Sequence, residues 1–180
     1  EAPAGAFPWR TLAAGIVLVV LSPTASTKIG SAIYALSAVL LFTVSAIFHR
    51  GRWSPRMAAF LRRFDHANIF LLIAGSYTPF TLLLLEGRER TILLSVVWVA
   101  AAVGTLMRVF WLGAPRWLYT AVYLGLGWAA VFFFPSFVAA SSTVVLVLMV
   151  AGGLLYTLGG LVYGLKRPNP SPRWFGFHEV

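Results

Sequence analysis

A long uncharged stretch in the second half of the chain limits what this sequence can fold into. Between Trp117 and Leu165 no residue carries a charge, and the stretch is long enough for two bilayer crossings of about 20 residues each. In the whole sequence 59% of residues are hydrophobic and 11% are charged, against about 25% charged in a soluble domain. A soluble fold could not bury so much apolar surface, so the sequence predicts an all-α, polytopic transmembrane helix bundle.

Six apolar segments can be marked along the chain, and each is predicted to be one transmembrane span. A stub after the sixth is typical of the opening turns of a seventh helix. No soluble domain or internal repeat interrupts the series. Residues 1–180 are therefore predicted to form a single transmembrane domain, truncated at both ends. The segments are residues 8–23, 29–48, 65–85 with Pro79 as a kink, 91–107, 117–134 and 143–164, with a turn at 135–142 and the stub at 174–180.

The 14 Lys and Arg residues are divided unequally between the two ends of these spans. With alternating spans, eleven lie on the side of the N-terminus and three, Lys28, Arg88 and Arg90, on the other. Cytoplasmic loops are enriched in Lys and Arg. We therefore predict a multi-pass protein of the cell membrane with a cytoplasmic N-terminus. The net charge of +9 does not indicate nucleic-acid binding, because the sequence shows no basic face with interleaved stacking aromatics.

Gly160 and Gly164 form a small-xxx-small pattern in the sixth segment. Small residues at this spacing allow two membrane helices to approach closely. The pattern predicts either close packing against a neighbouring helix of the same bundle, which we favour, or a seam between two copies of the chain. The oligomeric state is left open by the sequence.

Polar and ionisable residues gather where the second segment ends and the third begins. Ser45 and His49 are four residues apart and share one face of a helix, and Asp65 and His66 follow after a basic loop. Alternating spans place His178 at the same end of the bundle. Ionisable groups at the edge of a membrane bundle are costly to keep there and indicate a functional site.

The residue types in this group suit a zinc ion. The chain has no cysteine, so histidine and carboxylate are the strong metal ligands that remain. A catalytic zinc takes about three protein ligands and a water whose pKa falls to about 7. In this interpretation Asp65 orients that water and accepts its proton, and Ser45 donates a hydrogen bond to the carboxylate or to a developing oxyanion.

A structural interpretation of the same residues stays open. His49 and His66 would then be polar ends of apolar helices, and Asp65 would be the N-cap of the third helix or the partner of a neighbouring arginine, Arg62 or Arg63. His66 is expected to lie outside the metal ligands in either case, because it points about 100° away from Asp65 around the helix.

These residues resemble the hemolysin III family, the bacterial branch of the progestin and adipoQ receptor (adiponectin receptor) superfamily. The resemblance is strongest in Ser45-Ala-Ile-Phe-His49 and in Leu61 to Phe80, and it resumes at Phe175 to Val180, where the family carries His-x-x-x-His. It implies a seven-helix bundle with a cytoplasmic N-terminus.

The resemblance also implies roles for individual residues. A zinc ion would be held by His49 and His178, while Asp65 contacts the coordinated water and Ser45 supports it. The second histidine of His-x-x-x-His would fall four positions after His178, at position 182, and is not in the sequence. The sequence as it stands is therefore expected to bind zinc weakly or not at all, and an extension that supplies this histidine is expected to restore binding.

Two functions of different classes follow from the resemblance. By analogy with the ceramidase-like relatives, the protein would be a zinc-dependent hydrolase of a lipid amide or ester, with membrane lipid as partner and substrate. The alternative is a non-enzymatic membrane protein, a cytolysin or a sensor of membrane state, in which zinc is structural. An open coordination position favours the enzyme, and a fourth protein ligand favours the structural zinc.

Overall fold

The computed structural model describes residues 9–111 and 115–165, apart from the side chains of Arg116 and Tyr163. All regular secondary structure in these ranges is helical. Within these ranges five stretches are long and apolar enough to cross a membrane, and a sixth helix is apolar but shorter. The predicted all-α, polytopic bundle is confirmed. The chain forms two compact units, Glu1–Leu112 and Gly113–Val180, which are described separately here; the single domain stays a prediction.

The described part of the first unit, residues 9–111, contains four helices: α1 Trp9–Leu21, α2 Ala25–Arg50, α3 Pro55–Leu84 and α4 Gly87–Phe110. A capping box starts α2, since the Thr27 N–H donates to Thr24 Oγ1 and the Thr24 N–H donates to Thr27 Oγ1. Ser54 is the N-cap of α3, because its hydroxyl accepts a hydrogen bond from the Met57 N–H at 3.4 Å. Pro55 follows at the first helical position, where its missing N–H costs nothing.

The start of α3 corrects one prediction. The third span was expected to begin at Asp65, after a basic loop, but the helix begins ten residues earlier at Pro55. The apolar run alone gave the later boundary, whereas the capping pair Ser54-Pro55 sets the real one. The connection between α2 and α3 is therefore only residues 51–54. The helix also continues through Pro79 to Leu84.

Small residues bring α2 and α3 close together. A Cβ built on Gly30 of α2 would lie 2.8 Å from the Cα of Pro79, and a Cβ on Gly75 of α3 would overlap the side chain of Ser37. On its other side α3 packs against α4, where Gly104 leaves room for the fully buried ring of Phe70. These contacts fix α3 between α2 and α4, with α1 packed on α2.

The second unit contains α5 Arg116–Gly127, a 3-10 helix Ala129–Phe133, α6 Phe134–Ala140 and α7 Thr143–Leu165. The turn predicted at 135–142 is wrong in extent, because the chain is helical as far as Ala140 and only residues 141–142 separate α6 from α7. Pro135 lies in the first turn of α6, where a proline begins a helix rather than ending one.

The two glycines of the small-xxx-small pattern in α7 pack against another helix of this unit. A Cβ on Gly160 would lie 2.8 Å from Leu124 Cδ2, and one on Gly164 would lie 3.2 Å from Thr120 Cγ2. Both partners belong to α5, and the Tyr156 hydroxyl of α7 donates to the Tyr123 carbonyl of α5 at 2.6 Å. Packing between two helices of one chain therefore accounts for the pattern. The oligomeric state stays open.

Candidate functional site at the ends of α2 and α3

The predicted site residues of the first unit lie near the C-terminal end of α2 and in the first half of α3. Ser45 is half-buried, and His49 in the last turn of α2 is exposed beside Phe48, with 4.8 Å between ring centroids. The Asp65 side chain is 15% exposed. Asp65 follows ten residues after the start of α3, so the alternative that it is the N-cap is wrong.

The surroundings of Asp65 also exclude the second structural alternative. In the part of the chain that the structure describes, no ion pair joins Asp65 to Arg62 or Arg63; the nearby ionisable group is His66, whose Nδ1 lies 4.0 Å from Asp65 Oδ2. That nitrogen also lies 2.7 Å from the Arg62 carbonyl. A carbonyl can only accept, so Nδ1 carries the proton and donates it there. This bond holds the His66 ring against its own helix.

Antiparallel pairing of α2 and α3 brings Asp65 level with Ser45. Ser37 lies against Gly75, and each step forward on α2 moves the facing position one step back on α3. The Gly30–Pro79 and Ser37–Gly75 contacts together place Ser45 level with residues 64–67 of α3 and His49 level with residues 60–63. Asp65 is thus level with Ser45, and His49 lies about one turn further toward the start of α3.

A cavity shows which side of the helix pair these residues face. A cavity of about 540 Å³ opens between α1, α2 and α3 near the other end of the unit, and Tyr34 and Ser76 line it from α2 and α3. Ser45 follows Tyr34 by eleven residues on α2, and Asp65 precedes Ser76 by eleven residues on α3. Eleven residues are three helical turns to within about 20°, so the two members of each pair lie on the same face of their helix. Ser45 and Asp65 therefore lie on one side of the α2–α3 pair, the side on which α1 packs.

Sequence reasoning missed one polar residue beside this group. Asn68 is fully buried, and neither its amide nitrogen nor its amide oxygen has a hydrogen-bond partner among the described residues. It precedes Gly75 by two turns and so shares the face of α3 that packs on α2. The signal in the sequence was an amide one turn after Asp65 inside an otherwise apolar run.

The residues at this end do not complete a metal site by themselves. Within residues 9–111 and 115–165 no three His, Cys, Asp or Glu side chains lie close enough together to hold a metal ion. His49 and Asp65 are donor types that zinc takes, which supports part of a ligand set. The other predicted ligand, His178, lies outside the described residues. The roles of Ser45, His49, Asp65 and His178 stay predictions.

Comparisons with known proteins extend over most of the chain. A family described as "Haemolysin-III related" has a model that matches residues 5–180. Hemolysin-3 of Bacillus cereus is 30% identical over 140 residues, which are 78% of this chain and 64% of that protein. The Hemolysin-3 homolog of Bacillus subtilis (strain 168) is 33% identical over 146 residues, 81% of this chain and 68% of that protein. The matches thus span about two thirds of these relatives.

Proposed function

Because the chain belongs to the haemolysin III family, we propose that this multi-pass membrane protein hydrolyses an amide or ester of a membrane lipid at a zinc site. We place it in the cell membrane with its N-terminus in the cytoplasm. The proposal is supported by the helix contacts and the cavity lining, from which Ser45 and Asp65 are inferred to lie on one side of the α2–α3 pair and at one level.

The proposal gives each residue a separate role. His49 and His178 would hold a zinc ion, which when bound would supply a Lewis acid and a water of lowered pKa. Asp65, with its side chain largely withdrawn from solvent, orients a water and accepts its proton. In the proposed site the Ser45 hydroxyl would donate a hydrogen bond that orients the Asp65 carboxylate.

Zinc content tests the ligands. In a form extended to place a histidine at position 182, we expect His49→Ala to lower zinc per purified chain, measured after mild chelation. We expect His66→Ala to leave it unchanged, because the His66 ring points about 100° away from Asp65 around the helix. Both variants are made in the present sequence and in the extended form. Zinc that is equal and stoichiometric in the unaltered short and extended forms would show that the histidine at position 182 is not a ligand.

Activity separates an enzyme from a protein with structural zinc. Asp65→Asn keeps the shape of the side chain but cannot accept a proton, so it should retain zinc and lose about 10²- to 10⁴-fold in hydrolysis of lipid amides and esters. Unchanged hydrolysis in Asp65→Asn would remove Asp65 from the chemistry. No hydrolysis by the zinc-loaded, unaltered protein would favour the non-enzymatic function.

The names of the two relatives favour a second function, since both are called hemolysins or hemolysin homologs. A lytic protein would release haemoglobin from red cells, and it would do so without lipid cleavage. The purified chain can be assayed for lysis and for lipid cleavage on the same vesicles or cells. Lysis that persists in Asp65→Asn and His49→Ala would support lysis as an activity independent of the zinc site.

The absence of cysteine gives a direct test of topology. Arg52→Cys lies in the connection between α2 and α3, and Ala140→Cys lies at the end of α6; both positions are exposed. With a cytoplasmic N-terminus, an impermeant thiol reagent should label intact cells at position 140 and reach position 52 only after permeabilisation. The reverse pattern would overturn the orientation.

A further inference from the structure

The third helix is longer than a membrane needs. Pro55–Leu84 has 30 residues, which is about 45 Å at 1.5 Å per residue, while a hydrocarbon core is about 30 Å thick and takes about 20 residues. At the C-terminal end of α3 only residues 85–86 separate it from α4, so little helix can extend beyond the membrane there. The surplus of about ten residues therefore lies at the N-terminal end.

Neither neighbour of α3 in the first unit reaches its first turn. From the Gly30–Pro79 and Ser37–Gly75 contacts, the end of α2 at Arg50 is level with residues 59–62. From the Gly104–Phe70 contact, the end of α4 at Phe110 is level with about residue 64. The nine residues Pro55–Arg63, here called the basic projection, thus extend past the end of α4, and the first turn of the projection also extends past the end of α2.

The basic projection combines unpaired positive charge with exposed apolar side chains. Arg56, Phe60 and Arg63 follow one another at i, i+4 and i+7 and so form one stripe. Phe60 is 53% exposed and stacks on Phe64, with 6.1 Å between ring centroids. Five arginines in and beside the projection have no ion-pair partner within the described ranges; they are Arg50, Arg52, Arg56, Arg62 and Arg63.

The chemistry of the projection indicates its partner. Guanidinium groups bind phosphate oxygens bidentately, and aromatic side chains favour the headgroup layer of a bilayer. Trp53, which directly precedes the projection, is 40% exposed, and its indole N–H is already used by the Ile47 carbonyl at 3.1 Å, so its ring adds an apolar surface. The headgroup layer on one side of a bilayer is about 5–8 Å deep, so Arg63 and Phe60 lie at headgroup depth and Arg56 lies at the outer edge of that layer.

We infer that the basic projection, Pro55–Arg63, is a binding surface for anionic phospholipid headgroups. The arginines of the stripe bind the phosphates, and Phe60 lies between the acyl chains and the headgroups. This binding surface is independent of the proposed lipid hydrolysis, because it involves neither Ser45, His49 nor Asp65.

Lipid retention tests the inference on the full chain. The protein is purified in detergent and offered dioleoyl phosphatidylglycerol or dioleoyl phosphatidylcholine, and retained lipid is counted by native mass spectrometry. The test variant is Arg56→Gln/Arg63→Gln. The control, Lys28→Gln/Arg88→Gln, removes the same charge from two exposed residues at the other end of the unit. A second variant, Arg56→Lys/Arg63→Lys, keeps the charge.

We expect the unaltered chain to prefer phosphatidylglycerol. Each arginine near an anionic surface contributes about fivefold in binding, so the glutamine pair should lower the preference roughly 25-fold. The control and the lysine pair should keep the preference within a few-fold, and the lysine pair also shows whether substitution at these positions disturbs folding. Equal retention of the two lipids by the unaltered chain would overturn the inference. An equal loss of the preference for phosphatidylglycerol in the glutamine pair and in the control would also overturn it. Binding of glycerol 3-phosphate as tight as the binding of phosphatidylglycerol would overturn it as well.

Discussion

The close approach of α2 and α3 depends on Gly75, and Gly75→Ala tests it. A Cβ at residue 75 would overlap Ser37 Oγ and lie 2.9 Å from Ser37 Cβ, whereas unstrained carbon atoms lie about 3.5–4.0 Å apart. Ser37 cannot turn away easily, because it is buried and its hydroxyl donates to the Tyr34 carbonyl at 2.8 Å. The two helices must therefore separate by about 1 Å.

The magnitude follows from two opposing effects. A methyl group forced into a well-packed helix contact costs about 1–3 kcal/mol, and replacing a mid-helix glycine by alanine returns about 0.5–1 kcal/mol by reducing backbone entropy in the unfolded chain. The expected net loss in the free energy of unfolding is about 1–2 kcal/mol. Gly152→Ala in α7 provides the control, because among the described residues no atom lies within 4 Å of a Cβ placed there. That substitution should stabilise by about 0.5–1 kcal/mol.

A double-mutant cycle measures the contact itself. Ser37→Gly removes both atoms that the new methyl group meets, so Gly75→Ala/Ser37→Gly should recover much of the loss, with a coupling energy of about 0.5–3 kcal/mol. Unfolding in mixed detergent micelles, followed by tryptophan fluorescence, gives the free energies. The reasoning is refuted if Gly75→Ala is as stable as Gly152→Ala, or if the two substitutions at the helix contact act additively.

Other predictions concern single residues of α3 and α7. Asn68→Leu should stabilise the fold by about 1 kcal/mol, since two unpaired buried groups are removed at a cost of some overpacking. A loss of more than about 3 kcal/mol in the same unfolding assay exceeds the cost of overpacking and would mean that Asn68 has a partner outside the described residues. Ser54→Ala should cost about 0.5–2 kcal/mol because α3 loses its N-cap, and hydrogen exchange should accelerate at the Met57 amide, which the cap holds. Gly160→Ala should destabilise the fold, because the new methyl group would meet the Leu124 side chain. Gly159→Ala should not destabilise it, because no described atom lies within 4 Å of a Cβ placed there.

The class of fold could be predicted because it depends on composition along the chain. An uncharged run from Trp117 to Leu165 has few alternatives to membrane helices, and each of the six apolar segments contains helix in the structure. Helix ends were harder, because they depend on a few capping atoms. The Ser54 hydroxyl starts α3 ten residues before the apolar run suggested, and Pro135 starts a short helix where a turn was expected.

The site could be predicted only in part, for a related reason. Spacing within one helix places His49 one turn after Ser45, but no spacing shows how far α2 is rotated toward α3. That rotation is set by Gly30 against Pro79 and Ser37 against Gly75, contacts that depend on the absence of side chains. The sequence did not single out Asn68 either, because the burial of Asn68 depends on the same contacts between α2 and α3.

The helix contact and the site are therefore one structural problem. Ser45 and Asp65 share a side and a level because two glycines fix both the distance between α2 and α3 and the rotation of each helix. Asp65 is ten residues from Gly75, about 15 Å along the helix, so a displacement at the glycine is transmitted through rigid helix rather than through a loop. A misplacement of about 1 Å can cost about 10²-fold in rate. If the proposed hydrolysis takes place between these helices, it should thus be more sensitive to Gly75→Ala than the loss of stability alone would explain.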